Sequence, residues 1–390
     1  MGDNLNVQFH NSIADIDSED WNSLFGKDYP FTRHEFLLAL ERSGCTDKKS
    51  GWQPFHLVLF DDNNKAIAAL VIFLKGHSYG EYIFDWSWAD AYHRSGKQYY
   101  PKLLSAIPFT PATGPRIGFS SEVKTASDRQ KIIAVLAQAI IQHAEEAEIS
   151  SWHILYPNLE AATEFVKADL PLRHSSQFHW FNDNFGSFDE FLSTFNSRKR
   201  KNLKRERRRV EEQGVILDVI EGTDISSKNW EAFYHFYQIT YAKRSGHGGY
   251  LNQSFFSEIA TTMPDQIIMV LARRDSENIA GALYFRSSDT LFGRYWGCIE
   301  EVDCLHFEAC YYQGIEYCIK NRLSKFDPGA QGEHKIQRGF RPVKTYSNHW
   351  IADPNFRKAV VNFTQKEAVQ IDAYIQDAST YLPFKELHSK

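Results

Sequence analysis

Residues 326–340 read FDPGAQGEHKIQRGF and decide the fold assignment. The stretch follows an amphipathic helical pattern and a short apolar segment, and it then sets acidic, imidazole and cationic side chains among glycines. Glycine lets the backbone adopt positive φ and approach a ligand closely. Because a solvated loop rarely needs so many different chemistries, the stretch predicts a site on a rigid scaffold. The alternative is a glycine turn with ordinary surface charges.

The candidate catalytic residues of this stretch are Asp327, Glu333 and His334. Amide formation needs a group that accepts the amine proton. The unperturbed pKa of His334 suits neutral pH, whereas Glu333 would need burial to raise its pKa. Asp327 either takes part in this chemistry or caps the following turn. For His334 the alternative role is a hydrogen bond to a nearby carbonyl.

Three further residues of the stretch are candidate substrate-binding residues: Gln331, Lys335 and Arg338. Arg338, or backbone N–H groups of the glycine-rich turn, could stabilise the charge of a tetrahedral intermediate. A surface ion pair is the alternative for Lys335 and Arg338.

The composition indicates a well-packed protein of two or three structural units. The chain has 390 residues, of which 43% are hydrophobic and 15% aromatic, against roughly 150 residues for a typical domain. Its longest apolar run, residues 66–74, is about half as long as a membrane span of roughly 20 residues. Residues 1–4 lack the pattern of a signal peptide. We therefore expect a cytoplasmic protein without membrane insertion.

The five cysteines do not predict a metal site. Cys298, Cys304, Cys310 and Cys318 contain no C-x-x-C pair. Cys318 falls on a helical apolar stripe and is expected to be a small buried hydrophobe.

Residues 198–209 form a basic run of nine cations and one anion in a chain whose net charge is −5. Ser197 is the predicted N-cap of this helix. The run either forms a solvated helix face or contacts a polyanion, such as the phosphates of a nucleotide-linked substrate or a tRNA acceptor stem. The candidate polyanion-binding residues are Arg198, Lys199, Arg200, Lys201 and Lys204.

The order of predicted elements suggests an internal duplication. A strand hairpin, a helix and a further strand occur in each half, at residues 55–74, 128–146 and 151–156, and again at 265–285, 303–322 and 325–327. A helix ending near Arg42 is also predicted, with Thr32 as its N-cap and Glu35 completing a capping box. Chance similarity between two ordinary hairpins is the alternative to duplication.

Two segments of the first half are candidate substrate-binding segments. Residues 108–116 combine prolines, hydroxyls and a cation, which suits an anion or a peptide carboxylate; a proline-stiffened connection is the alternative. Residues 84–92 mix aromatic rings with carboxylates and line either a cleft or the core. The candidate residues are Thr110, Thr113, Gly114 and Arg116 in the first segment, and Trp86, Asp90 and Tyr92 in the second.

Three blocks resemble the catalytic half of FemABX-type acyltransferases, which carry two GNAT-like folds in tandem. They are residues 195–203 running on to 214–215, residues 295–297, and residues 327–329 with Lys335 and Phe340 downstream. Residues 108–116 and 329–335 are similar to hallmarks of the FemAB-like family of predicted N-acyltransferases.

The resemblance implies an α/β fold with mixed sheets and two tandem GNAT-like domains, at residues 1–175 and 176–390. It further implies transfer of an acyl or aminoacyl group to an amine of a small molecule, a peptide or a cell-wall precursor. Acyl-CoA or aminoacyl-tRNA would be the donor, no cofactor would be tightly bound, and the basic helix could contact tRNA. A non-catalytic module that recognises cell-wall precursors or RNA through this helix is the alternative.

One departure from the wider superfamily disfavours coenzyme A as the donor. Acetyl-CoA-dependent members hold the pyrophosphate with an R/Q-x-x-G-x-G/A loop. The nearest match is residues 294–299, in which Ile299 stands where glycine or alanine is expected.

Overall fold

The computed structural model describes residues 5–246, 248–330 and 332–385. The chain forms two compact units, residues 1–176 with 344–373 and residues 177–343 with 374–390. The sequence predicted domains at residues 1–175 and 176–390. In the structure, residues 344–373 belong to the first unit instead of the second. The physical reason is that residues 347–351 pair with a strand of the first unit.

Within the described residues, the first unit contains two sheets and five α-helices of its own. The helices are α1 (Ser18–Phe25), α2 (His34–Arg42), α3 (Trp86–Arg94), α4 (Ala126–Glu146) and α5 (Leu159–Val166). The strands are β1 (Asn6–His10), β2 (Trp52–Pro54), β3 (His56–Phe60), β4 (Ala66–Leu70), β5 (Phe73–Lys75), β6 (Lys102–Ser105), β7 (Ile117–Phe119) and β8 (Ser151–Leu155). Three more elements continue from one unit into the other: β9 (Leu172–Phe181), β15 (Arg341–Ile351) and α12 (Pro354–Thr380).

The sheets of the first unit have the strand orders β1-β3-β4-β7 and β2-β5-β6-β8-β15. Neighbouring strands are antiparallel except β6 and β8, which are parallel. Helix α4 supplies much of the core, because Ile132, Ile133, Leu136 and Ile140 recur at helical spacing and are buried. Each such side chain stabilises the fold by about 1.5–3 kcal/mol.

The described part of the second unit contains one sheet, with the order β10-β11-β12-β13-β14-β9. Its strands are β10 (Ile216–Glu221), β11 (Ile267–Arg274), β12 (Glu277–Arg286), β13 (Thr290–Cys298) and β14 (Lys325–Asp327). Its helices are α6 (Phe188–Ser193), α7 (Ser197–Glu212), α8 (Ser227–Ser245), α9 (Gln253–Thr262), α10 (Leu305–Phe307) and α11 (Gln313–Lys320), and residues 308–312 form a π-helical turn.

The predicted repeat of hairpin, helix and strand is present in both units. The β3–β4 hairpin precedes α4 and β8, and the β11–β12 hairpin precedes the α10–α11 helical segment and β14. In each unit the strand after the helix pairs in parallel with a strand before it, β8 with β6 and β14 with β13. This shared order supports duplication over chance similarity.

Two predicted helix caps are wrong. Thr32 lies in a short 3-10 turn, its hydroxyl is buried without a hydrogen-bond partner, and α2 begins at His34. Glu35 binds Arg33 and Asn22 and so does not complete a capping box. Helix α7 is capped by Asn196, whose side chain accepts from the N–H of Lys199, and Ser197 is its first residue.

No helix within the three described ranges is both long and apolar enough to cross a membrane.

Candidate functional site

The site is built around the place where β13 continues beyond the end of β14, which we call the opening between the two strands. The two strands pair only at Thr290–Phe292 with Lys325–Asp327, after which β14 ends and β13 continues to Cys298. A β-bulge in β13 falls at Arg294, because the pairing with β12 shifts between Tyr295 and Gly293. Bulges re-aim side chains and often lie next to active sites. The Arg294 side chain is 1% exposed although the residue is only half-buried, so its main chain is the exposed part.

Two backbone N–H groups of β13 point away from β12. The Cys298 N–H donates to Thr240 Oγ1 at 3.1 Å, on the side of the strand away from β12. Since N–H groups alternate along an antiparallel pair, that of Trp296 points the same way. Helix α8 packs closely against β13 at Gly297 because glycine has no side chain. A Cβ at this position would lie 2.2 Å from the Phe236 carbonyl carbon.

Asp327, a candidate catalytic residue, forms a buried ion pair. Its Oδ2 accepts from the Arg294 guanidinium at 2.9 Å, and both side chains are 1% exposed. Its Oδ1 accepts from the N–H of Gly329 at 2.9 Å, which caps the following turn. Burial raises the pKa of Asp327, but Arg294 and His179 outweigh it and hold that pKa well below its usual range. Asp327 therefore stays ionised and holds the turn. This is the capping role that the sequence analysis gave as the alternative to catalysis.

Lys335 is buried directly beneath this turn. It lies in a 3-10 helix, Glu333–Arg338, and its Nζ donates to Gly329 O at 2.7 Å and to Ala330 O at 3.4 Å. Burial lowers the pKa of Lys335 to about 8, although Asp327 opposes the shift. Its partners are loop carbonyls, so the surface ion pair considered as an alternative does not form. Gln331, the neighbouring candidate, lies outside the described residues.

His334 lies at the surface and contacts aromatic side chains. Its Nε2 is 2.9 Å from Tyr311 Oη, and its ring packs against Phe307. Gly332 has φ +108°, a backbone conformation that other residues rarely adopt, and a Cβ there would lie 2.3 Å from the imidazole Cε1, so the exposed His334 ring would also have to move. Burial lowers the pKa of His334, and the charges of Arg338 and Lys335 add to the effect. His334 is consequently neutral at pH 7.

Glu333 and Arg338 flank this histidine in different environments. Glu333 is exposed, and its Oε1 accepts from Tyr374 Oη at 2.8 Å. Arg338 is buried, donates from NH2 to both carboxylate oxygens of Glu206 at 3.0 and 2.9 Å, and lies 3.5 Å from the centre of the Phe307 ring. Because Glu206 already neutralises Arg338, a substrate anion would have to compete with that carboxylate.

Arg116, a candidate for anion binding, is fully buried among main-chain carbonyls. Its guanidinium donates to Leu155 O at 2.8 Å, Ala112 O at 2.6 Å and Pro115 O at 3.1 Å. These bonds hold the loop between β6 and β7, so the proline-stiffened connection describes this segment better. The neighbouring candidates share this character: Thr110 is buried with its hydroxyl on Pro108 O, Thr113 is half-buried, and Gly114 packs on the Tyr29 ring.

The structure does not bring the candidates of residues 84–92 together. Trp86 is 42% exposed, at the start of α3. Asp90 is exposed and pairs with Arg94 at 3.0 Å. Tyr92 is buried against Tyr99 and Phe356. These positions divide between surface and core.

A buried ionic cluster in the first unit was missed by sequence reasoning. Lys102 Nζ donates to Ser78 Oγ and Glu81 Oε2 at 2.8 Å and to Asp85 Oδ2 at 2.5 Å. Burial raises the pKa of Glu81 to about 7 and lowers that of Lys75 to about 6. The available signal was a lysine at the start of the short strand β6, followed by two leucines. The cluster fixes residues 78–85, the segment that leads into α3.

Helix α7 divides its cations between a paired and an unpaired set. Lys199 donates to Gln337, and three cations form salt bridges: Lys204 with Asp189 at 2.7 Å, Arg207 with Glu308 at 2.9 Å, and Arg209 with Asp303 at 2.8 Å. An exposed stripe remains, which we call the α7 stripe, and within the described chain none of its members forms a salt bridge. Its residues are Arg198, Lys201, Arg205 and Arg208.

The α7 stripe differs from the predicted set. Its spacings of three, four and three place its members on one face of the helix, over about 15 Å. Arg205 and Arg208 were missed because the sequence does not show which cations are neutralised. Arg200, a predicted member, lies off this face and is half-buried.

Residues 294–299, the nearest match to a pyrophosphate-binding loop, are in β13 as far as Cys298 and cannot form such a loop. In the part of the chain that the structure describes, no group of three or more His, Cys, Asp or Glu residues is placed to hold a metal ion. Cys318 is buried, as predicted.

The topology and the opening between β13 and β14 define a class of protein, the tandem GNAT-like fold. A family model described as peptidoglycan biosynthesis/recognition matches residues 12–386. The chain belongs to this FemAB-like family.

Two solved structures with TM-scores above 0.5, FemX and an Agrobacterium fabrum protein, agree on the fold. FemX has 11% identity and a TM-score of 0.51 over 89% of this chain and 97% of its own. The C-terminal domain of an Agrobacterium fabrum protein named as a lysylphosphatidylglycerol synthetase has 9% identity and a TM-score of 0.54 over 91% and 97%. A tandem GNAT protein from the clavulanic acid biosynthesis pathway has 8% identity and a TM-score of 0.46 over 90% and 99%. No curated protein sequence matches this chain.

Proposed function

We propose that the protein is an N-acyltransferase that transfers an acyl or aminoacyl group to an amine of a cell-wall precursor. Membership of a family described by peptidoglycan biosynthesis or recognition supports the acceptor class. The observation that carries the proposal is the opening between β13 and β14, where the buried Arg294 side chain binds Asp327 and Lys335 binds the turn that follows β14.

The chemistry follows from these groups. The acceptor amine attacks the ester or thioester carbonyl of the donor, a C–N bond forms, and the C–O or C–S bond breaks. Charge on the tetrahedral oxygen would be stabilised by main-chain N–H groups such as that of Trp296 and by the nearby Lys335 ammonium. Glu333 or His334 relays the amine proton to the leaving group. Asp327 holds the turn that positions them.

The direct test is donor-dependent amide formation, followed by mass spectrometry. The protein is incubated with acetyl-CoA or an aminoacyl-tRNA and with a muropeptide precursor as acceptor. We expect a product heavier by one acyl or aminoacyl group, and a rate at least about 10²-fold lower in the Glu333→Gln or the His334→Ala variant. Glu277→Gln and His235→Ala change exposed residues of the same unit and serve as controls. Full activity in both test variants would remove these residues from the mechanism.

A second candidate function is polyanion binding through the α7 stripe. Four unpaired cations on one helix face suit a phosphate backbone, either of an aminoacyl-tRNA donor or of an RNA that a non-catalytic module recognises. This function is compatible with catalysis at Lys335 and does not require it.

The α7 stripe predicts salt-dependent RNA binding. In the Lys201→Gln/Arg205→Gln variant, the slope of log K against log salt for an RNA duplex should fall by about 1.4–1.8, because each lost phosphate contact removes about 0.7–0.9. The matched control is Lys204→Gln/Arg209→Gln, which removes two cations of the same helix that are already paired. Equal slopes for the two variants, or an affinity that does not depend on the salt concentration, would contradict this function.

A further inference from the structure

We infer that Tyr311 is a positioning residue that fixes neutral His334 in the tautomer with its hydrogen on Nδ1. The inference deepens the proposed function, on which its catalytic meaning rests. The tautomer itself can be measured without any activity.

Tyr311 is held rigidly by its surroundings. It lies in the π-helical turn at residues 308–312, a rare conformation that is frequent at functional sites. Its ring stacks on Phe307 at 6.1 Å between centroids and meets Phe340 edge-on at 5.4 Å. Packing on both sides holds the ring so that its Oη lies 2.9 Å from His334 Nε2.

We assign the hydrogen of this bond to Tyr311. Burial raises the pKa of Tyr311 far above neutrality, so its hydroxyl is protonated. Within the described residues, Nε2 of His334 is the acceptor that the structure places at this hydroxyl. Because His334 is neutral at pH 7, an Nε2 that accepts a hydrogen bond leaves the ring hydrogen on Nδ1.

This tautomer gives the two candidate proton-transfer residues, His334 and Glu333, different roles. With Nε2 occupied, His334 offers a hydrogen-bond donor at Nδ1, which suits a developing oxyanion or a leaving group. Glu333, exposed and oriented by Tyr374, is then the group that accepts the amine proton. The sequence alone left this choice open.

The test is long-range ¹H–¹⁵N NMR of the full chain with ¹⁵N-labelled histidine, with the His334 signals assigned by their loss in His334→Gln. We expect the wild-type ring to carry its hydrogen on Nδ1. In Tyr311→Phe the tautomer ratio should shift toward Nε2–H by about 3- to 10-fold, the effect of one ordinary hydrogen bond. The control is Tyr317→Phe, whose hydroxyl donates to Glu221 at 2.8 Å, and it should leave His334 unchanged.

A wild-type hydrogen on Nε2, or an unchanged ratio in a folded Tyr311→Phe protein, would overturn the inference. If Tyr311→Phe does not fold, the wild-type tautomer alone decides. If the Nδ1–H tautomer is found but no donor supports transfer, the inference about Tyr311 stands and the proposed function fails. Where transfer is detected, Tyr311→Phe should lower kcat with little change in KM, since it alters a group that acts on the reacting atoms.

Discussion

The Lys335→Met variant is expected to lose about 10²- to 10³-fold in kcat, the usual effect of removing one group that stabilises transition-state charge. The substitution has two effects, and both lower kcat. The carbonyl of Gly329 loses its donor at 2.7 Å, which loosens the turn, and the buried positive charge disappears from the opening beside β13. A single-turnover assay with a saturating donor measures the loss.

The matched control is Lys320→Met, which makes the same change at an exposed lysine at the end of α11. The pH dependence gives an independent check. The folded pKa of Lys335, about 8, is below the unfolded value of about 10.4. Between these values the unfolded chain binds more protons, so stability rises with pH in this window. Lys335→Met should lack that rise. Wild-type kcat in this variant would argue against a role for the charge.

Arg294→Met is expected to lower the free energy of unfolding by about 3–5 kcal/mol, because it leaves the carboxylate of Asp327 buried without its cation. Both side chains of the pair are almost inaccessible to water, and His179, 3.7 Å from Asp327 Oδ1, is a poor substitute. Burial lowers the pKa of His179 to about 4, so at pH 7 it carries no charge. Urea unfolding at pH 7 measures the effect.

The exposed Arg341–Asp183 pair of the same unit provides the comparison. Arg341→Met should change stability by less than about 1 kcal/mol. The double variant Arg294→Met/Asp327→Leu removes both buried charges and should recover much of the loss. Equal effects of Arg294→Met and Arg341→Met would show that burial does not govern the contribution of this pair.

Acid unfolding should report on the same ion pair. The folded pKa of Asp327 is depressed, so its contribution to stability is complete above the unfolded pKa of about 3.9 and is lost as the pH falls toward the folded pKa. Asp327→Asn should remove this part of the acid dependence.

The fold could be predicted from the sequence because its signals are local. The helical spacing of Ile132, Leu136 and Ile140, and the hairpins of both units, depend on residues close together in the chain. The chemistry of residues 326–340 was likewise visible in their composition, although the roles of its side chains were not.

The roles depend on partners that are distant in sequence. Arg116 and Arg338 were both predicted to bind anions. In the structure, Arg116 donates to Leu155 O and Arg338 pairs with Glu206. The position of Tyr311 depends on a π-helical turn, which a spacing of 3.6 residues does not predict. For the same reason the basic run did not reveal that Asp189 and Asp303 neutralise two of its cations.

The passage of the chain between the units within β9, β15 and α12 has a consequence for biosynthesis. On the ribosome, β8 is made long before β15, so the first unit waits for nearly the whole polypeptide before its sheet gains this last strand and the tryptophan Trp350. A fragment ending near residue 175 would keep β8 as a free edge, open to pairing with other chains. Dissection into two expressible halves therefore calls for circular permutation or co-expression of the missing segment, and a simple cut will not suffice.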